Sequence, residues 1–327
     1  MELIRGLQNI NSSHHGCVLT IGKFDGVHLG HQAVLRQVIE KAKELEVPAT
    51  VMVFEPQPEE LFTPDVAPAR LSRLREKFAL LSEFGVDRLI CVKFNRDFAA
   101  QAPEFFIEHI LVKQLGVRYL VVGDDFRFGK NRAGDFAMLS EAGNHFGFEV
   151  VDTASLKLKD NRISSTAIRD ALRDADLEKA SAYLGRPFSI SGTVVHGAKR
   201  GRSIGFPTAN VLLHRCNSPV NGVFAVVVKI LPDRITRFDN HNTVMKHHGV
   251  ANIGNRPTVN GVQPQLEVHI FDFNDSLYGK NIIVELHHKL RDEIKFDSFE
   301  LLKIQIEKDA QDALSWLQEH HPLNNNV

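Results

Sequence analysis

The sequence predicts two domains of different class: an N-terminal α/β domain with a parallel sheet, and a C-terminal antiparallel β-barrel or sandwich that ends in a helix. The length of 327 residues favours two domains over one. Strand and helix patterns alternate in the first half, whereas mostly strand-like runs separated by Gly, Pro and Asn fill the second. The pattern changes near residues 184–187, so we predict domains at 1–184 and 185–327.

In the first half, short apolar runs and helical patterns follow one another in a regular order. One helical face carries Val34, Leu35, Val38 and Ala42, and Gly85 is placed to end the following helix. Strands this apolar predict a parallel sheet covered by helices on both faces. The predicted strands are 17–22, 49–54, 88–94, 119–123 and 148–153, and the predicted helices are 29–46, 71–85, 103–116 and 135–147.

In the second half, strand-like runs dominate and only two helices are predicted. A short helix over 176–185 connects the two halves, and a longer helix within 296–318 is predicted to begin after an N-cap at Asp297. This order is typical of a small antiparallel barrel or sandwich with a terminal helix. The strand-like runs are 188–197, 222–231, 247–254, 266–273 and 281–290.

The charge balance and the cysteines narrow the class of protein. Lys and Arg number 39 and Asp and Glu 40, a balance that argues against a general nucleic-acid or membrane-surface binder but leaves a local basic pocket open. Three cysteines far apart, without a CxxC pair, predict reduced thiols. There is no signal-peptide pattern and no apolar run of the ~18 residues that suggest a membrane span. We therefore expect a cytoplasmic protein with neither nucleic acid nor membrane as partner.

The stretch GKFDGVHLGH, residues 22–31, follows the first of these predicted strands and begins the first predicted helix. Ligands of parallel α/β sheets bind at this position, where glycines permit a close approach and the helix start favours phosphate. His28 and His31 share one face, so their imidazoles, protonated or as hydrogen-bonding groups, are suited to hold phosphates. On spacing alone, a metal site or an ordinary helix start remains an alternative. Neither GxGxxG nor a P-loop is present.

This stretch resembles the GxFDGxHxGH signature of the nucleotidyltransferase superfamily and, more narrowly, that of the bacterial bifunctional riboflavin kinase/FMN adenylyltransferase family. The resemblance implies a Rossmann-like nucleotidyltransferase domain followed by a small kinase barrel. It also implies ATP, riboflavin and FMN as ligands, with Mg²⁺ accompanying ATP and the flavins as substrates and products. Further segments resemble the same family in the same order, namely 121–136, 162–172, 201–210, 249–259 and 266–273.

For the opening stretch, the resemblance implies binding of ATP. His28 and His31 match the two histidines that hold the ATP phosphates in the family. Gly22, Phe24 and Asp25 match the positions that shape the nucleotide-binding loop around them. Both histidines would stabilise the negative charge that develops on the departing pyrophosphate.

Two further segments of the first domain match family positions. Ser165, Thr166 and Arg169 would form a second phosphate clamp, in which Arg supplies a rigid fork of donors. By composition alone, the Ser and Thr residues would only cap a helix. Asp125 and Phe126 match flavin-binding positions, but relatives often carry Asn where this chain has Asp125, and an ionised Asp cannot donate a hydrogen bond.

For the second domain, the resemblance implies a kinase site. Thr208 and Asn210 would bind the Mg²⁺ that accompanies ATP, because Thr and Asn offer the hard oxygen ligands that this ion prefers. Composition alone favours a simple turn at these positions. Glu267 would be the general base that takes the proton of the ribityl 5′-hydroxyl. Further matching positions are Gly205 and Pro207 for nucleotide, and Arg291 and Phe296 for flavin.

The resemblance therefore implies an enzyme that phosphorylates riboflavin to FMN and then adenylylates FMN to FAD. Two alternatives stay open at the level of sequence. One is a nucleotidyltransferase that acts on another phosphate-bearing substrate and uses its barrel only for recognition. The other is a flavin-binding regulator without activity, against which Thr208, Asn210, Glu267 and both histidines of the opening stretch argue.

Overall fold

A computed structural model describes residues 1–153, 157–158, 161–197, 205–213, 217–232, 244–258 and 261–323. The chain forms two compact units. The first unit comprises Met1–Pro68 and Ser72–Ser164, and the second comprises Ala69–Leu71 and Ser165–Val327. The first unit is built on a six-stranded sheet and the second on a closed barrel.

The sheet of the first unit is parallel throughout. Its strands are β1 (Glu2–Arg5), β2 (Cys17–Ile21), β3 (Ala49–Glu55), β4 (Arg88–Lys93), β5 (Val117–Val122) and β6 (Glu149–Asp152). They lie in the order β1-β4-β3-β2-β5-β6, and every neighbouring pair is parallel, which confirms the predicted sheet. The sequence pattern does not predict β1, because this edge strand has only four residues and two of them are charged. A small hairpin of β7 (Lys157–Leu158) and β8 (Asn161–Arg162) follows.

Helices connect the strands in the predicted positions. They are α1 (Leu29–Glu44), α2 (Pro58–Phe62), α3 (Leu74–Glu83), α4 (Arg96–Ala99), α5 (Pro103–Phe105), which continues as a π-helix over Phe106–Gln114, and α6 (Phe136–Phe146). Short 3-10 turns lie at Leu7–Asn9, Ser12–His14, Pro64–Val66 and Lys130–Arg132. The helix predicted from residue 71 begins only at Leu74, and Gly85 follows its end with a φ of +89°.

Helices cover both faces of the sheet, as the apolar strands predict. Leu19 of β2 packs in one cluster with Leu111 of the π-helix. Its neighbour Val18 points to the opposite face and packs with Val38 and Ala42 of α1. Successive residues of a strand face opposite sides, so a central strand buried on both sides has to be apolar at every position, as β2 nearly is.

The order of the strands places a crevice beside β2. The chain continues from β2 to β3 and β4 on one side, and then returns to build β5 and β6 on the other side. The register pairs Thr20 of β2 with Val121 of β5, so both strands end at nearly the same level. In open α/β sheets, ligands bind outside the carboxyl ends of the strands at such a switch point.

The second unit is a closed barrel, not a sandwich. Its strands are β9 (Ser189–Val195), β10 (Ala209–Leu212), β11 (Gly222–Ile230), β12 (Lys246–Thr258), β13 (Gly261–Ile270) and β14 (Asn281–Arg291). They close in the order β10-β13-β12-β11-β14-β9, with β9 paired to β10, and all pairs are antiparallel. β10 begins inside the segment that composition alone assigns to a turn.

The described part of the second unit also contains the helices α7 (Ser165–Arg173), α8 (Leu177–Leu184) and α9 (Phe299–His320). Ala313 and Leu317 of α9 pack on the barrel in one cluster with Val227 of β11. Among the described residues, no helix is both long enough and apolar enough to cross a membrane.

The N-cap predicted for the terminal helix is wrong by one residue. Ser298, not Asp297, is the N-cap of α9, because its Oγ accepts a hydrogen bond from the Leu301 backbone N–H at 3.2 Å. An N-cap side chain reaches the backbone N–H two or three residues ahead. Ser298 is extended, with φ −141° and ψ 161°, as an N-cap residue requires, and Asp297 lies one residue too early for this contact.

Candidate active sites

The loop between β2 and α1 has an unusual backbone. Phe24, Gly26 and Val27 have φ values of +46°, +81° and +41°, a left-handed conformation that costs residues other than Gly roughly 1–2 kcal/mol each. Such strain persists only where surrounding contacts hold it, and it clusters at functional sites. Here the holding contacts come from the core, because Phe24 and Val27 are buried in one cluster with Leu35 and Leu81.

Asp25 and Ser72 tie this loop to the segment before α3. The Asp25 side chain is only 1% exposed, and its Oδ1 accepts hydrogen bonds from Ser72 N at 2.9 Å and from Ser72 Oγ at 3.3 Å. Ser72 Oγ in turn accepts a bond from Gly26 N at 2.8 Å. Asp25 therefore joins the loop to Ser72, with its Oδ1 directed at the protein. The sequence gives no signal for Ser72, since a buried partner 47 residues away is visible only in the fold.

His28 and His31 stack against each other at the start of α1. Their ring centroids lie 3.6 Å apart with an interplanar angle of 17°. His28 is the N-cap of α1, since its Nδ1 accepts a hydrogen bond from the His31 backbone N–H at 3.3 Å. Gly30 has to be small, because an added Cβ would lie 3.1 Å from the His28 ring. The HxGH spacing thus orients two imidazoles side by side at a helix start.

The surroundings of His31 disfavour its protonated form. Burial lowers the pKa of His31 well below its usual value of 6.5, and the neighbouring His28 and Lys77 lower it further. Its Nδ1 is buried and makes no hydrogen bond to any described residue. Of the two forms that the sequence leaves open, the structure therefore favours a hydrogen-bonding His31 over a protonated one. The Phe24 ring covers His31 at a centroid distance of 4.9 Å.

The loops after β2 and β5 leave the sheet side by side. Gly22 extends β2, with its N–H donating to Met52 O at 3.2 Å. Asp125 and Phe126 follow the end of β5 in a turn closed by Phe126 N donating to Gly123 O at 3.0 Å. Asp125 is exposed and Phe126 half-buried, so both side chains lie at the carboxyl edge where the two histidines begin α1.

The same edge of the sheet carries a cluster of aromatic residues that the sequence analysis did not identify. The exposed member is Phe62 of α2, whose side chain is 57% exposed. Its ring meets the edge of Phe94 at 6.0 Å, and Phe94 contacts Phe54 and Phe98 at 5.7 and 5.9 Å. Phe54 lies near the end of β3 and Phe94 just after β4. Aromatic residues at the ends of two neighbouring strands are the signal that could have identified this surface.

The proposed second phosphate clamp lies at the start of α7 in the second unit. Ser165 and Thr166 are the first two residues of the helix, and Arg169 is the fifth. Arg169 Nε donates to Ala69 O at 2.6 Å, a contact that fixes the side chain. The helix start is a suitable anion site, and the phosphate role of these residues stays a prediction.

In the barrel, three polar residues form a row across neighbouring strands. Asn210 of β10 pairs in register with Glu267 of β13, which pairs with Asn252 of β12. Asn210 is 7% exposed, and its Oδ1 accepts a hydrogen bond from Gln265 Nε2 at 2.8 Å while its Nδ2 donates to Thr208 O at 3.3 Å. The row brings the predicted metal ligand next to the predicted base.

The residues before β10 lie close to Asn210 and its neighbours. Gly205 has a φ of +84°, where Gly is preferred. Pro207 O accepts a hydrogen bond from His269 Nδ1 at 2.8 Å. Gly197 packs against the Asn210 side chain so closely that an added Cβ would lie 2.3 Å from Asn210 Nδ2. Residues 198–204, between Gly197 and Gly205, lie outside the described residues.

Arg291 forms an ion pair inside the second unit. Its Nε and Nη2 contact the buried Asp309 carboxylate of α9 at 2.9 and 2.6 Å, and the Phe296 ring lies 5.8 Å from the Arg291 guanidinium. These contacts give Arg291 a role in holding α9 on the barrel. A flavin contact for Arg291 and Phe296 stays a prediction.

The described histidines of the second unit form no metal site. In the part of the chain that the structure describes, no three His, Cys, Asp or Glu residues are arranged to hold a metal ion. His287 Nδ1 lies 3.1 Å from His321 Nε2, and burial, followed by the charge of His321, lowers the pKa of His287 to about 4. The His321 ring lies 5.5 Å from the Trp316 ring of α9.

Known proteins match both parts of the chain. The FAD synthetase family model matches residues 10–167, and the riboflavin kinase family model matches residues 184–317. Proteins named bifunctional riboflavin kinase/FMN adenylyltransferase from Haemophilus influenzae and Escherichia coli K12 are each 52% identical over 313 and 314 residues. The alignments cover 96% of this chain and 98% and 97% of those proteins.

The fold also recurs in a solved structure. A crystal structure from Streptococcus pneumoniae, named a macrolide-efflux protein, matches with a TM-score of 0.76 and 31% identity over 97% of this chain and 100% of that one. A protein from Pseudomonas fluorescens that carries the bifunctional name is 48% identical over 314 residues. With two matching family models and relatives aligned over almost their whole length, the chain belongs to the bifunctional riboflavin kinase/FMN adenylyltransferase family.

Proposed function

We propose that the N-terminal domain transfers AMP to FMN and that the C-terminal domain phosphorylates riboflavin, with the domains at 1–184 and 185–327. The chain is an enzyme with both activities: it phosphorylates riboflavin with ATP to give FMN, and it transfers AMP from ATP to FMN to give FAD and pyrophosphate. The FAD synthetase match ends at residue 167 and the riboflavin kinase match begins at 184, which supports a division between these positions.

For adenylyl transfer, a phosphate oxygen of FMN attacks the α-phosphorus of ATP. A new P–O bond joins FMN to AMP, the bond between the α-phosphorus and the bridging oxygen breaks, and pyrophosphate leaves with the electron pair. We assign His28 and His31 to the ATP phosphates, because they begin α1 at the switch point of the sheet. Neutral His31 donates a hydrogen bond to charge that develops on the leaving group.

The aromatic edge supports a flavin position in the same domain. Phe62 presents an exposed ring above Phe94, and the isoalloxazine of FMN is a flat ring system suited to stack on such a surface. Phe126 and Asp125 lie at the same edge after β5. As an ionised carboxylate, Asp125 accepts hydrogen bonds from a flavin N–H, which is the role open to it where relatives often carry Asn.

For riboflavin phosphorylation, the ribityl 5′-oxygen attacks the γ-phosphorus of ATP and ADP leaves. Glu267 takes the hydroxyl proton as the new P–O bond forms. The observation that carries this assignment is the in-register pairing of Glu267 with Asn210 on neighbouring strands. It places a carboxylate beside an amide that is suited to hold the phosphate-bound cation.

The residues of the barrel fit Mg²⁺ as it accompanies ATP. Mg²⁺ keeps several waters and takes few protein oxygens together with substrate phosphates. Asn210 Oδ1 accepts a hydrogen bond from the Gln265 side chain at 2.8 Å, and Thr208 lies just before β10. When bound, the ion would neutralise phosphate charge as the γ-phosphoryl group is transferred. A cytoplasmic location is part of this proposal, supported by the use of ATP and by the free, buried Cys17 and Cys91.

One incubation tests both activities. Purified protein is mixed with riboflavin, ATP and Mg²⁺, and the flavins are separated by chromatography over time. We expect FMN to appear first and FAD to follow, and excess chelator to stop both. If the protein converts FMN to FAD but does not phosphorylate riboflavin, it has the nucleotidyltransferase activity alone. Flavin binding without consumption of ATP would indicate a regulator.

A further inference from the structure

His269 lies on β13 two residues after Glu267. Successive side chains of a strand point to opposite faces, so the side chains of Glu267 and His269 lie on the same face of the sheet. Asn210 is paired in register with Glu267, and directly opposite residues also share a face. His269 is therefore a neighbour of both residues to which the kinase site is assigned, and the assignments above give it no role.

The predicted metal ligand Thr208 lies just outside the strand that carries Asn210. The pairing of β10 with β13 begins at Ala209 and Val268, so Thr208 and Pro207 precede the hydrogen-bond ladder between these strands. Mg²⁺ requires near-ideal octahedral geometry. A ligand at the end of a ladder therefore needs further contacts to hold its direction.

Two side chains of the site supply such contacts, one on each side of Thr208. His269 Nδ1 bonds to Pro207 O at 2.8 Å, and Asn210 Nδ2 donates to Thr208 O at 3.3 Å. Pro207 O belongs to the peptide group before the Thr208 Cα, and Thr208 O belongs to the peptide group after it. Because each peptide group is planar, holding both of them fixes φ and ψ of Thr208, and with them the direction in which its side chain leaves the backbone.

The contact with Pro207 defines where His269 carries a proton. A backbone carbonyl only accepts hydrogen bonds, so His269 Nδ1 has to carry the N–H. The imidazolium form also has a proton on Nδ1, so the bond is available to both forms of the ring. The rings of Phe206 and Phe271 meet the His269 ring edge-on at centroid distances of 5.1 and 5.7 Å, and they orient it towards Pro207.

We propose that His269 is a positioning residue for riboflavin phosphorylation: its Nδ1–H holds the Pro207 carbonyl and thereby directs Thr208 towards the Mg²⁺ that accompanies ATP. The proposal rests on the metal role proposed for Thr208. It makes β13 the common support of the kinase site, since this strand carries both Glu267 and the side chain that orients the metal ligand.

The test compares His269→Asn with His269→Leu in the full-length protein. Asn and Leu have the same shape, and both remove the imidazole from Phe206 and Phe271. Only Asn keeps a donor at the δ position, so loss of ring packing affects both variants alike. His269→Leu should raise the KM for MgATP in riboflavin phosphorylation about five- to tenfold, the effect expected from one lost hydrogen bond. His269→Asn should recover most of this loss, and the KM for riboflavin should stay near normal in both.

Equal values of the KM for MgATP in the two variants would overturn the proposal. Conversion of supplied FMN to FAD, measured on the same preparations, shows whether the chain is folded. A second measurement uses no substrate: the ¹⁵N shifts of the wild-type ring, assigned by their loss in His269→Asn, should show the proton of neutral His269 on Nδ1. A proton on Nε2 would overturn the proposal even if His269→Leu does not fold.

A third variant separates this proposal from the one on which it rests. Thr208→Val keeps the shape of the side chain and removes the hydroxyl, so it should raise the KM for MgATP at least as much as His269→Leu. If Thr208→Val has a normal KM for MgATP, the metal role of Thr208 fails, a different result from equal values in the Asn and Leu variants of His269.

Discussion

The two candidate sites are built in opposite ways. The first is local in sequence, because ten consecutive residues provide a loop with a strained backbone, an N-cap and two stacked histidines. The second is assembled across strands, since Asn210, Glu267 and Asn252 come from β10, β13 and β12 and meet only when these strands pair. A local site can be identified from its motif, whereas a cross-strand site depends on the register of the whole sheet.

Different contacts hold the residues of the two sites in place. In the first site, the geometry of the histidines depends on contacts such as Asp25–Ser72 that hold the loop. In the second, the hydrogen-bond ladder of the barrel itself holds the row in place. Single substitutions should therefore remove one activity at a time, and supporting residues should matter more in the first site.

The largest effect is expected at Glu267. Glu267→Gln keeps the size of the side chain but removes the base, so riboflavin phosphorylation should fall by about 10²–10⁴, the usual contribution of a general base. Conversion of supplied FMN to FAD should stay near normal. Both rates are measured by flavin chromatography on the same preparation.

A matched control for this change is Glu285→Gln, which makes the same substitution on β14, where Glu285 is paired with Lys229. It should leave phosphorylation within a few-fold of normal. Normal phosphorylation by Glu267→Gln would remove the proposed base. Loss of both activities in a folded protein would instead contradict the division into two domains.

The second largest effect, on the rate of FAD formation, is expected at His28 and His31. His28→Ala and His31→Ala should each lower FAD formation by about 10²–10³, the cost of losing one preorganised contact to the transition state. Riboflavin phosphorylation should be spared. The exposed His145 on α6 of the same unit provides a control, because His145→Ala removes an imidazole away from the switch point. FAD synthesis at the wild-type rate in a folded double variant would show that both histidines are only structural.

The contact that holds the loop should have a smaller effect. Ser72→Ala removes the hydroxyl that bonds Asp25 and Gly26, and leaving buried polar groups without this partner costs about 1–3 kcal/mol of the free energy of unfolding. FAD formation should fall less than in the histidine variants. Denaturant unfolding of the first unit and the FAD assay measure the two effects.

The control for Ser72→Ala is Ser140→Ala, where the hydroxyl donates to Phe136 O of its own helix. That carbonyl keeps its helical partner, so the change should be nearly neutral. If the two serine variants unfold alike and form FAD alike, the Asp25–Ser72 contact does not hold the loop.

The contrast between the sites also explains what the sequence could predict. Alternation of apolar strands and helices predicted the parallel sheet, because a covered parallel strand is apolar on both faces. The strands β1 and β10 were not predicted. β1 has only four residues, two of them charged, and β10 begins in a Pro-Thr segment that is typical of a turn. Similarly, the His28–His31 pair is local, whereas Ser72 and Gln265 act through neighbours that only the folded chain brings together.

The smallest effect is expected from a change of pH, which should alter the free energy of unfolding of the barrel through His287. This effect is independent of the chemistry at Glu267. The pKa of His287 is lowered to about 4 by burial and by His321, so on acidification the unfolded state, with a pKa near 6.5, takes up the proton first. Stability from this group is complete above pH 6.5 and is lost as the pH falls towards 4. Because the ring is only partly buried, we expect the free energy of unfolding to fall by about 1 kcal/mol between pH 7 and 5 after solvent screening.

His287→Gln should flatten this part of the curve of unfolding free energy against pH, measured by denaturant unfolding. The exposed His145, in the other unit, should not change it when replaced by Gln. An unchanged acid profile in His287→Gln would show that His287 does not couple the end of α9 to pH, and Glu267 chemistry would be unaffected by that result.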